Sequence, residues 1–535
     1  LRFCHVFLSS SSSSPPRSSD PVQRGSQGHA QAEMALFPKP AETQQFGLFV
    51  LNKRLMRIFV GVAFFVLVVF GLVWRPQHDT LPVLPPAPGF DEPPGFYPYE
   101  TVSDYWPVSL DATGKSTDDL CATFPKHMLS LVQPVLKMGH GEDRTKLDAQ
   151  LDSVSACFRP DELLIFSDLD ERIRNFTAID ILAGLPPKYY DLEYNPDIGN
   201  YLLQKELSQN GTLDKDKEAT KKVNGWIIDR FKFLPQIERA WLMRPNRPFY
   251  FFYETDTYVV WDTVYRFLST FDPDVPIYMG SPSPGRHDSS RDGLKTWFAN
   301  GGPGFALSRG AVKALLRRDV APHGQYSGPT VSEEWLPLIK DECCGDSVVG
   351  WTLWNNGVAL QGYWPMFNPH PLHGIPFSDR YWCQPIMTLH KTTPKDMVEA
   401  WKWEFGQRKF KRPLLYADYW NFHRPGTSDT LDNWDNGDWD ASKSGPDQGI
   451  DSFEKCEEAC KKDDSCVQWN WRGRDEKVCV LARSFRYGEK REPEQRDDKW
   501  VDFKSGWIKE RLDKFRQERQ CEVVEWVGPS ITRVF

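Results

Sequence analysis

Apolar and polar positions divide the chain into stretches of different character. Residues 1–54 are polar and low in complexity and predict no fold, and Met34 is the expected start because a membrane signal follows it. Residues 58–74 read IFVGVAFFVLVVFGLVW, an uncharged run close to the length that crosses a hydrocarbon core. The run predicts a signal-anchor helix over 55–74, with a buried core helix and a cleaved signal peptide as alternatives.

Charges around this run predict its orientation. Lys53, Arg54 and Arg57 precede it, whereas only Arg75 follows directly. Because positive charge stays on the cytosolic side, the N-terminus is predicted to be cytosolic and the remainder lumenal. The sequons at Asn175 and Asn210, and an even ten of the eleven cysteines beyond the span, agree with an oxidising secretory compartment.

Beyond the apolar run, five stretches with different patterns follow one another. Residues 75–115 are proline-rich and predict an extended stem. In 116–426 apolar strand-like runs alternate with helical patterns, which predicts an α/β domain with a largely parallel sheet. A Gly/Asp/Asn/Ser-rich linker is expected at 427–450, a cysteine-dense module at 451–510, and a charged tail, helical at first, at 511–535.

Composition narrows the function classes. The formal net charge is −8, with acidic and basic residues interleaved, so no basic surface for nucleic acid is predicted. Aromatic residues make up 14% of the chain and include 21 Trp, enough for a packed core and for platforms that stack on sugars. Core packing is the expectation for most of them.

Acidic residues directly follow one predicted buried strand and indicate a candidate metal site. The run 248–253 reads PFYFFY and is followed by Glu254 and Asp256. The carboxyl end of a buried parallel strand opens into a ligand crevice, where carboxylates can hold a divalent cation against a diphosphate. The alternative is that the two acids only end the strand and cap the following helix.

Other residues predict a polar crevice around the same edge. A second strand, 162–166, also ends in acids, which include Asp168 and Asp170. The glycine-rich turn at Gly301 and Gly302 permits close backbone approach to a ligand, although alone it is a weak phosphate signal.

Two further residues agree with a role in catalysis or metal binding and also with a purely structural role. Asp346 begins a helical pattern, where it could take a proton from a sugar hydroxyl or serve only as an N-cap. His390 follows an apolar run and could complete a metal site or pack structurally.

Five motifs in order carry a resemblance. They are SDLDE at 167–171, FFYETDTYV at 251–259, FANGGPGFALS at 298–308, GDSVVGWTL at 345–353 and TLHKT at 388–392. Together they resemble glycosyltransferase family 31, closest to its fungal members and to the fringe and core-1 β-1,3-galactosyltransferase branch. The resemblance covers nearly all of 121–423 and implies a GT-A fold, a UDP-sugar donor, manganese, and inverting transfer that gives a β-1,3 linkage.

The resemblance also implies residue roles. Asp256 and His390 match the metal-binding positions, with Glu254 at the first position of the same motif. Asp346 matches the catalytic base. Asp168, Asp170, Gly301 and Gly302 are expected at the donor. One departure is Thr255, which stands where the motif has its middle acid and makes metal affinity an open question.

The cysteine-dense module resembles a PAN/apple domain. Its cysteines are Cys456, Cys460, Cys466 and Cys479. Four cysteines allow three pairings, and zinc is an alternative that the lack of CxxC spacing disfavours. The resemblance implies bridges Cys456–Cys479 and Cys460–Cys466. Trp469 and Trp471 could stack on the face of a sugar, but core packing is the expectation for both.

The sequence thus predicts a Golgi type II membrane enzyme that transfers galactose or a related hexose from UDP to a glycan or glycoprotein. A non-catalytic glycan-binding scaffold is the main alternative, and hydrolysis of the nucleotide sugar is a third.

Overall fold

The computed structural model describes residues 114–122, 124, 126–319, 321–378, 380–407, 412–422, 430–437 and 441–532. The anchor predicted at 55–74 lies outside these ranges, as does the stem predicted at 75–115 except for its last two residues. Within the described ranges, no helix is both long and apolar enough to cross a bilayer.

The first part of the described chain, residues 117–422, is an α/β domain. Its strands are β1 (Val132–Lys137), β2 (Leu164–Ser167), β3 (Glu171–Ile173), β4 (Phe176–Asp180), β5 (Phe249–Glu254), β6 (Tyr258–Val259), β7 (Tyr278–Gly280), β8 (Pro282–Asp288), β9 (Leu294–Ala299), β10 (Phe305–Ser308), β11 (Leu360–Gly362), β12 (Phe367–Asn368) and β13 (Thr388–Leu389). Its helices are α1 (Thr117–Cys121), α2 (Arg144–Leu151), α3 (Gly199–Gln209), α4 (Lys217–Thr220), α5 (Gly225–Asp229), α6 (Phe233–Met243), α7 (Trp261–Leu268), α8 (Arg309–Leu315), α9 (Val331–Glu334), α10 (Leu336–Asp341), α11 (Gly345–Asn355), α12 (Pro394–Gln407) and α13 (Tyr416–Phe422).

Eight strands form the central sheet, in the order β11-β7-β10-β5-β1-β2-β4-β3. The neighbours β5, β1, β2 and β4 are parallel, while β10 is antiparallel to both β5 and β7. The predicted α/β class is confirmed, and the sheet is mixed. Along β5 the side chains of Phe249, Phe251 and Tyr253 enter one core cluster, and those of Tyr250 and Phe252 enter the other. Because both faces are covered, this strand has no polar alternation.

A second, antiparallel sheet forms the C-terminal module, residues 430–508. Its strands are β14 (Thr430–Asp432), β15 (Trp434–Asp435), β16 (Ser442–Ser444), β17 (Gln468–Arg472), β18 (Val478–Ala482), β19 (Glu489–Lys490), β20 (Glu494–Arg496), β21 (Lys499–Val501) and β22 (Phe503–Trp507), and its helix is α14 (Phe453–Lys462). Five of these strands pair in the order β14-β22-β17-β18-β16. The interval 427–450 was expected to be a linker, but it contains β14, β15 and β16. These strands pair with β22, β19 and β18, which lie later in the chain.

Two disulfides link helix α14 to other parts of the C-terminal module. The structure has the bridges Cys456–Cys479 and Cys460–Cys466 that the PAN/apple resemblance implied. Two bridges that the sequence left open are Cys121–Cys157 and Cys383–Cys521. Cys343 and Cys344 lie outside these four bridges. Trp469 is buried under Gly506 and belongs to the core of the module, so it offers no face to a sugar.

The module and the α/β domain share one core. Phe377 and Phe485 exchange two backbone hydrogen bonds of 2.7 and 2.8 Å, and the rings of Trp420 and Tyr487 stack with centroids 4.7 Å apart. After helix α15 (Lys509–Glu518), the tail returns to the α/β domain, where the Ser530 amide donates to the carbonyl of Gly362.

Both predicted glycosylation sites are accessible. Asn175 is exposed in the two-residue turn between β3 and β4, and Asn210 is exposed at the C-terminal end of α3. Attachment of a glycan at either position would therefore leave the core undisturbed.

Candidate functional site

The carboxyl end of β5 and the residue after β13 form a cluster of ligand atoms. One ligand atom each from Glu254, Asp256 and His390 lies within 4.8 Å of the others. All three residues are partly buried, and none is fully exposed. Two carboxylates and an imidazole suit a divalent cation such as manganese, so the residues present fit the predicted metal.

A small sheet explains why residues so far apart in sequence meet. Strand β6 follows Asp256 after one residue, and β13 pairs with it antiparallel so that Leu389 lies opposite Tyr258. His390 comes next along β13 and therefore returns to Asp256, with Nε2 and Oδ1 3.4 Å apart. The Thr392 amide donates to the Asp256 carbonyl at 3.0 Å and fixes this turn.

Two neighbouring side chains lower the pKa of Asp256. Burial opposes the charge, but the hydrogen bond from His390 and the ion pair with Lys146 Nζ at 3.0 Å together hold the pKa of Asp256 well below its usual range. The carboxylate is therefore available as a ligand at any physiological pH.

A buried chain of alternating charges runs from Glu254 along the edge of the sheet. Lys137 Nζ lies 3.1 Å from Glu254 and 2.6 Å from Asp229, and Lys232 Nζ lies 3.1 Å from Asp229 and 3.0 Å from Asp168. Burial alone would lower the pKa of Lys137, but Asp229 and Glu254 raise it above its usual range. Each buried charge thus has an opposite partner, which makes the network rigid.

The two aspartates predicted at the donor differ in their surroundings. Asp168 is buried, and it accepts from Lys232, from the Gln204 amide at 2.8 Å and from the backbone N–H of His140 at 2.9 Å. Asp170 is exposed and accepts the Asp180 amide at 3.0 Å. The carboxylate of Asp168 is therefore hydrogen-bonded to groups inside the protein, whereas Asp170 is exposed to solvent.

The glycine turn packs against side chains of the site. A Cβ on Gly302 would lie 2.1 Å from the His390 ring, and one on Gly301 would lie 2.9 Å from the ring of Phe233. The Gly301 amide donates to Asp346 Oδ2 at 2.8 Å. These glycines bring Asp346 and His390 to adjacent positions, and no larger residue fits there.

Asp346 lies in the first turn of α11, whose N-cap is Cys344. Its Oδ1 accepts the Ser347 amide at 2.8 Å, so two backbone N–H groups orient the carboxylate. Burial raises the pKa of Asp346 to about 6, against the opposing effect of the Gly301 hydrogen bond. The group is thus mostly ionised at neutral pH and has a proton affinity suited to a general base.

The sequence analysis missed five charged residues of the site, Lys137, Glu142, Lys146, Asp229 and Lys232. Lys137 had a readable signal, because it ends the apolar strand β1 as Glu254 ends β5. Glu142 and Lys146 lie in a polar segment without periodicity, whereas Asp229 and Lys232 lie among the apolar residues of 226–233. Only the folded chain brings these four to the metal-site acids.

Comparisons with known proteins agree with this geometry over part of the chain. Residues 217–340 match the family model described as Fringe-like, an interval that includes Glu254 and Asp256 and ends before Asp346 and His390. A β-1,3-N-acetylglucosaminyltransferase, radical fringe of Gallus gallus, is 33% identical over 99 residues, which are 17% of this chain. The chain spans 25% of the length of that relative. Residues 217–340 are therefore similar to Fringe-like proteins, and the two matches together support a glycosyltransferase.

Proposed function

We propose that the protein is an inverting, metal-dependent glycosyltransferase of GT-A type. It transfers a sugar from a UDP donor to a glycan or glycoprotein and forms a β-1,3 linkage. The observation that carries the proposal is the Gly301–Gly302 turn, which joins the oriented carboxylate of Asp346 to the ligand cluster at His390. A nucleophile-activating group and a cation site that contact the same turn suit the transfer of a sugar from a diphosphate.

Asp346 is the proposed base. The acceptor hydroxyl gives its proton to the carboxylate while its oxygen bonds to the anomeric carbon of the donor. The bond from that carbon to the β-phosphate oxygen breaks, and UDP leaves on the opposite face. The amides of Gly301 and Ser347 hold the carboxylate in place, so no reorientation precedes the step.

Glu254, Asp256 and His390 would hold the metal. When bound, a divalent cation supplies positive charge to the diphosphate that departs. In the metal-free protein His390 and Lys146 lower the pKa of Asp256, and Lys137 Nζ holds Glu254 at 3.1 Å. Asp170, the exposed member of the aspartate pair, is the proposed donor contact, while Asp168 positions Lys232.

The donor sugar is proposed from two sources. The resemblance of the motifs favours galactose or a related hexose, and the name of the chicken relative adds N-acetylglucosamine. The predicted anchor and the sequons are the basis on which we propose a type II protein of the Golgi membrane with its catalytic domain on the lumenal side. The C-terminal module, as a PAN/apple-like unit, would position the acceptor.

UDP release tests the proposal. The fragment 76–535 is assayed against a panel of UDP-sugars, with and without manganese and with a glycan acceptor, beside Asp256→Ala. Release that favours one donor, rises with acceptor, and falls by about 100-fold or more with EDTA or in the variant would support it, because the cation contributes several kcal/mol. A folded fragment that binds UDP but releases none from any donor would indicate the glycan-binding scaffold. Release that is unchanged by the acceptor would indicate hydrolysis of the nucleotide sugar.

Lys146 should compete with the metal. Its ammonium pairs with Asp256 and is 38% exposed, so the contact is screened and the effect modest. Lys146→Met is expected to tighten manganese binding by about two- to fivefold, which corresponds to up to about 1 kcal/mol. Isothermal titration calorimetry measures this, with Lys126→Met, which breaks the comparably exposed pair with Glu162, as the matched control. Weaker binding in Lys146→Met would contradict the competition.

A further inference from the structure

The stretch from the last residue of β1 to the first turn of α2 faces the acidic end of β5 through three pairs of residues. The three pairs are Lys137 with Glu254 (Nζ to Oε1, 3.1 Å), Glu142 with Thr255 (Oε2 to Oγ1, 2.5 Å) and Lys146 with Asp256 (Nζ to Oδ2, 3.0 Å). The outer pairs set a lysine against an acid. The middle pair sets an acid against a hydroxyl, so it adds negative charge to the site instead of cancelling it.

The middle pair is built to hold a carboxylate in a fixed position. Thr255 is 2% exposed, and its hydroxyl donates to Glu142 Oε2. The other oxygen, Oε1, accepts the Gly139 amide at 3.0 Å. Two donors thus fix a side chain that is exposed to solvent at the mouth of the site. A long surface glutamate without a role would keep its rotamer freedom.

The charges show what this carboxylate does. Glu254 and Asp256 are balanced by Lys137 and Lys146, so these four residues sum to zero. Glu142 accepts its two hydrogen bonds from Thr255 and Gly139, so it adds a carboxylate next to the ligand cluster without being one of the clustered ligands. An oriented carboxylate behind the ligands raises the affinity for a cation.

We propose that Glu142, held by Thr255, is a positioning residue that strengthens cation binding at Glu254, Asp256 and His390. The inference rests on the proposed function, since it assumes that the cluster binds a divalent metal. It assigns to the Thr255–Glu142 pair the negative charge that Thr255 itself cannot carry. The same carboxylate also fixes the Gly139 amide, so its loss loosens the loop that ends β1.

Calorimetric titration of the full chain with Mn²⁺ tests this without reference to turnover. Glu142→Gln keeps the shape, removes the charge and should weaken binding by about 10- to 100-fold. Thr255→Val removes the hydroxyl that orients Glu142 and should weaken binding too. The double variant should lose no more than Glu142→Gln alone, because Thr255 acts through Glu142.

Two controls separate this effect from general damage. Thr255→Ser keeps the hydroxyl and should bind Mn²⁺ as the wild type does. Glu162→Gln removes a paired carboxylate before β2, at the opposite edge of the sheet, and should leave the affinity unchanged. Thermal unfolding of each variant verifies that it is folded.

The outcomes distinguish the two proposals. Wild-type affinity in folded Glu142→Gln would overturn the role of Glu142 and leave the proposed function standing. Additive losses in the double variant would overturn the coupling through Thr255. A wild-type chain that binds no Mn²⁺, and behaves as Asp256→Ala does, would overturn both proposals.

Discussion

Asp346→Asn is expected to lower kcat by about 10²- to 10⁴-fold, the usual contribution of a general base. The amide has the shape of the carboxylate and can still accept one of the two N–H groups, from Gly301 or Ser347, but it cannot take the proton of the acceptor hydroxyl. UDP and Mn²⁺ binding should change little, because Asp346 is not one of the clustered ligands. Steady-state kinetics beside calorimetry of UDP binding separates these effects.

The raised pKa of Asp346 predicts both a pH profile of activity and a change in stability, because ionisation of the carboxylate supports catalysis but destabilises the fold. Its pKa in the folded protein is about 6, above the ordinary 3.8, so kcat/KM should fall about tenfold per pH unit below 6. Folding favours the protonated form, so the ionised carboxylate reduces stability above pH 6. Asp346→Asn should therefore raise the free energy of unfolding at pH 8 by about 1–3 kcal/mol, a gain that shrinks as the pH falls from 6 to 4.

Glu238→Gln is the matched control for turnover. Glu238 is a carboxyl whose pKa is also raised by burial, and it accepts from Ser332 on the outer side of α6, away from the ligand cluster. Its replacement should leave kcat unchanged. If Asp346→Asn retained wild-type turnover, or gained no stability at pH 8, its assignment as a buried base would be wrong.

The extent to which the sequence predicted this site depends on where each residue lies. Glu254 and Asp256 were readable because an uninterrupted apolar run must end where a buried strand meets solvent. His390 could be placed beside them only through the motif resemblance, because its position depends on the pairing of β13 with β6, two strands of two residues each. Such short strands carry no periodicity that a sequence can show.

Charged partners were the least predictable part. Glu142 and Lys146 lie in a polar stretch that reads as a loop and the start of a helix, and nothing local marks one charge as functional. Gly301 and Gly302 have a second role that the sequence did not indicate, because they leave room for the rings of Phe233 and His390. Long-range packing, which no local pattern records, decides both cases.

The same limit applies to the division of the chain. Polar composition at 427–450 predicted a linker, yet β14 there pairs with β22 some seventy residues later. The bridge Cys383–Cys521 spans 138 residues and ties the tail to the α/β domain. The C-terminal module is therefore expected to unfold together with the α/β domain.

Tyr487→Ala tests that coupling and should reduce the free energy of unfolding by about 3–5 kcal/mol, the usual cost of removing a large buried aromatic side chain. Tyr487 is 1% exposed, its ring stacks on Trp420, and its hydroxyl donates to the Trp420 carbonyl at 2.7 Å. Phe377 packs edge-on against it at 5.5 Å. The change therefore opens a cavity between the two sheets and strands a buried carbonyl.

Trp500→Ala is the control within the same module, because Trp500 is 44% exposed on β21 and its loss should cost no more than about 0.5 kcal/mol. Denaturant unfolding followed by both fluorescence and far-UV circular dichroism gives the measurement. Coincident transitions that shift together in Tyr487→Ala would mean that the module and the α/β domain unfold as one cooperative unit. Two separate transitions, with only one displaced, would show instead that the module is autonomous, and acceptor positioning would then have to work through a flexible junction.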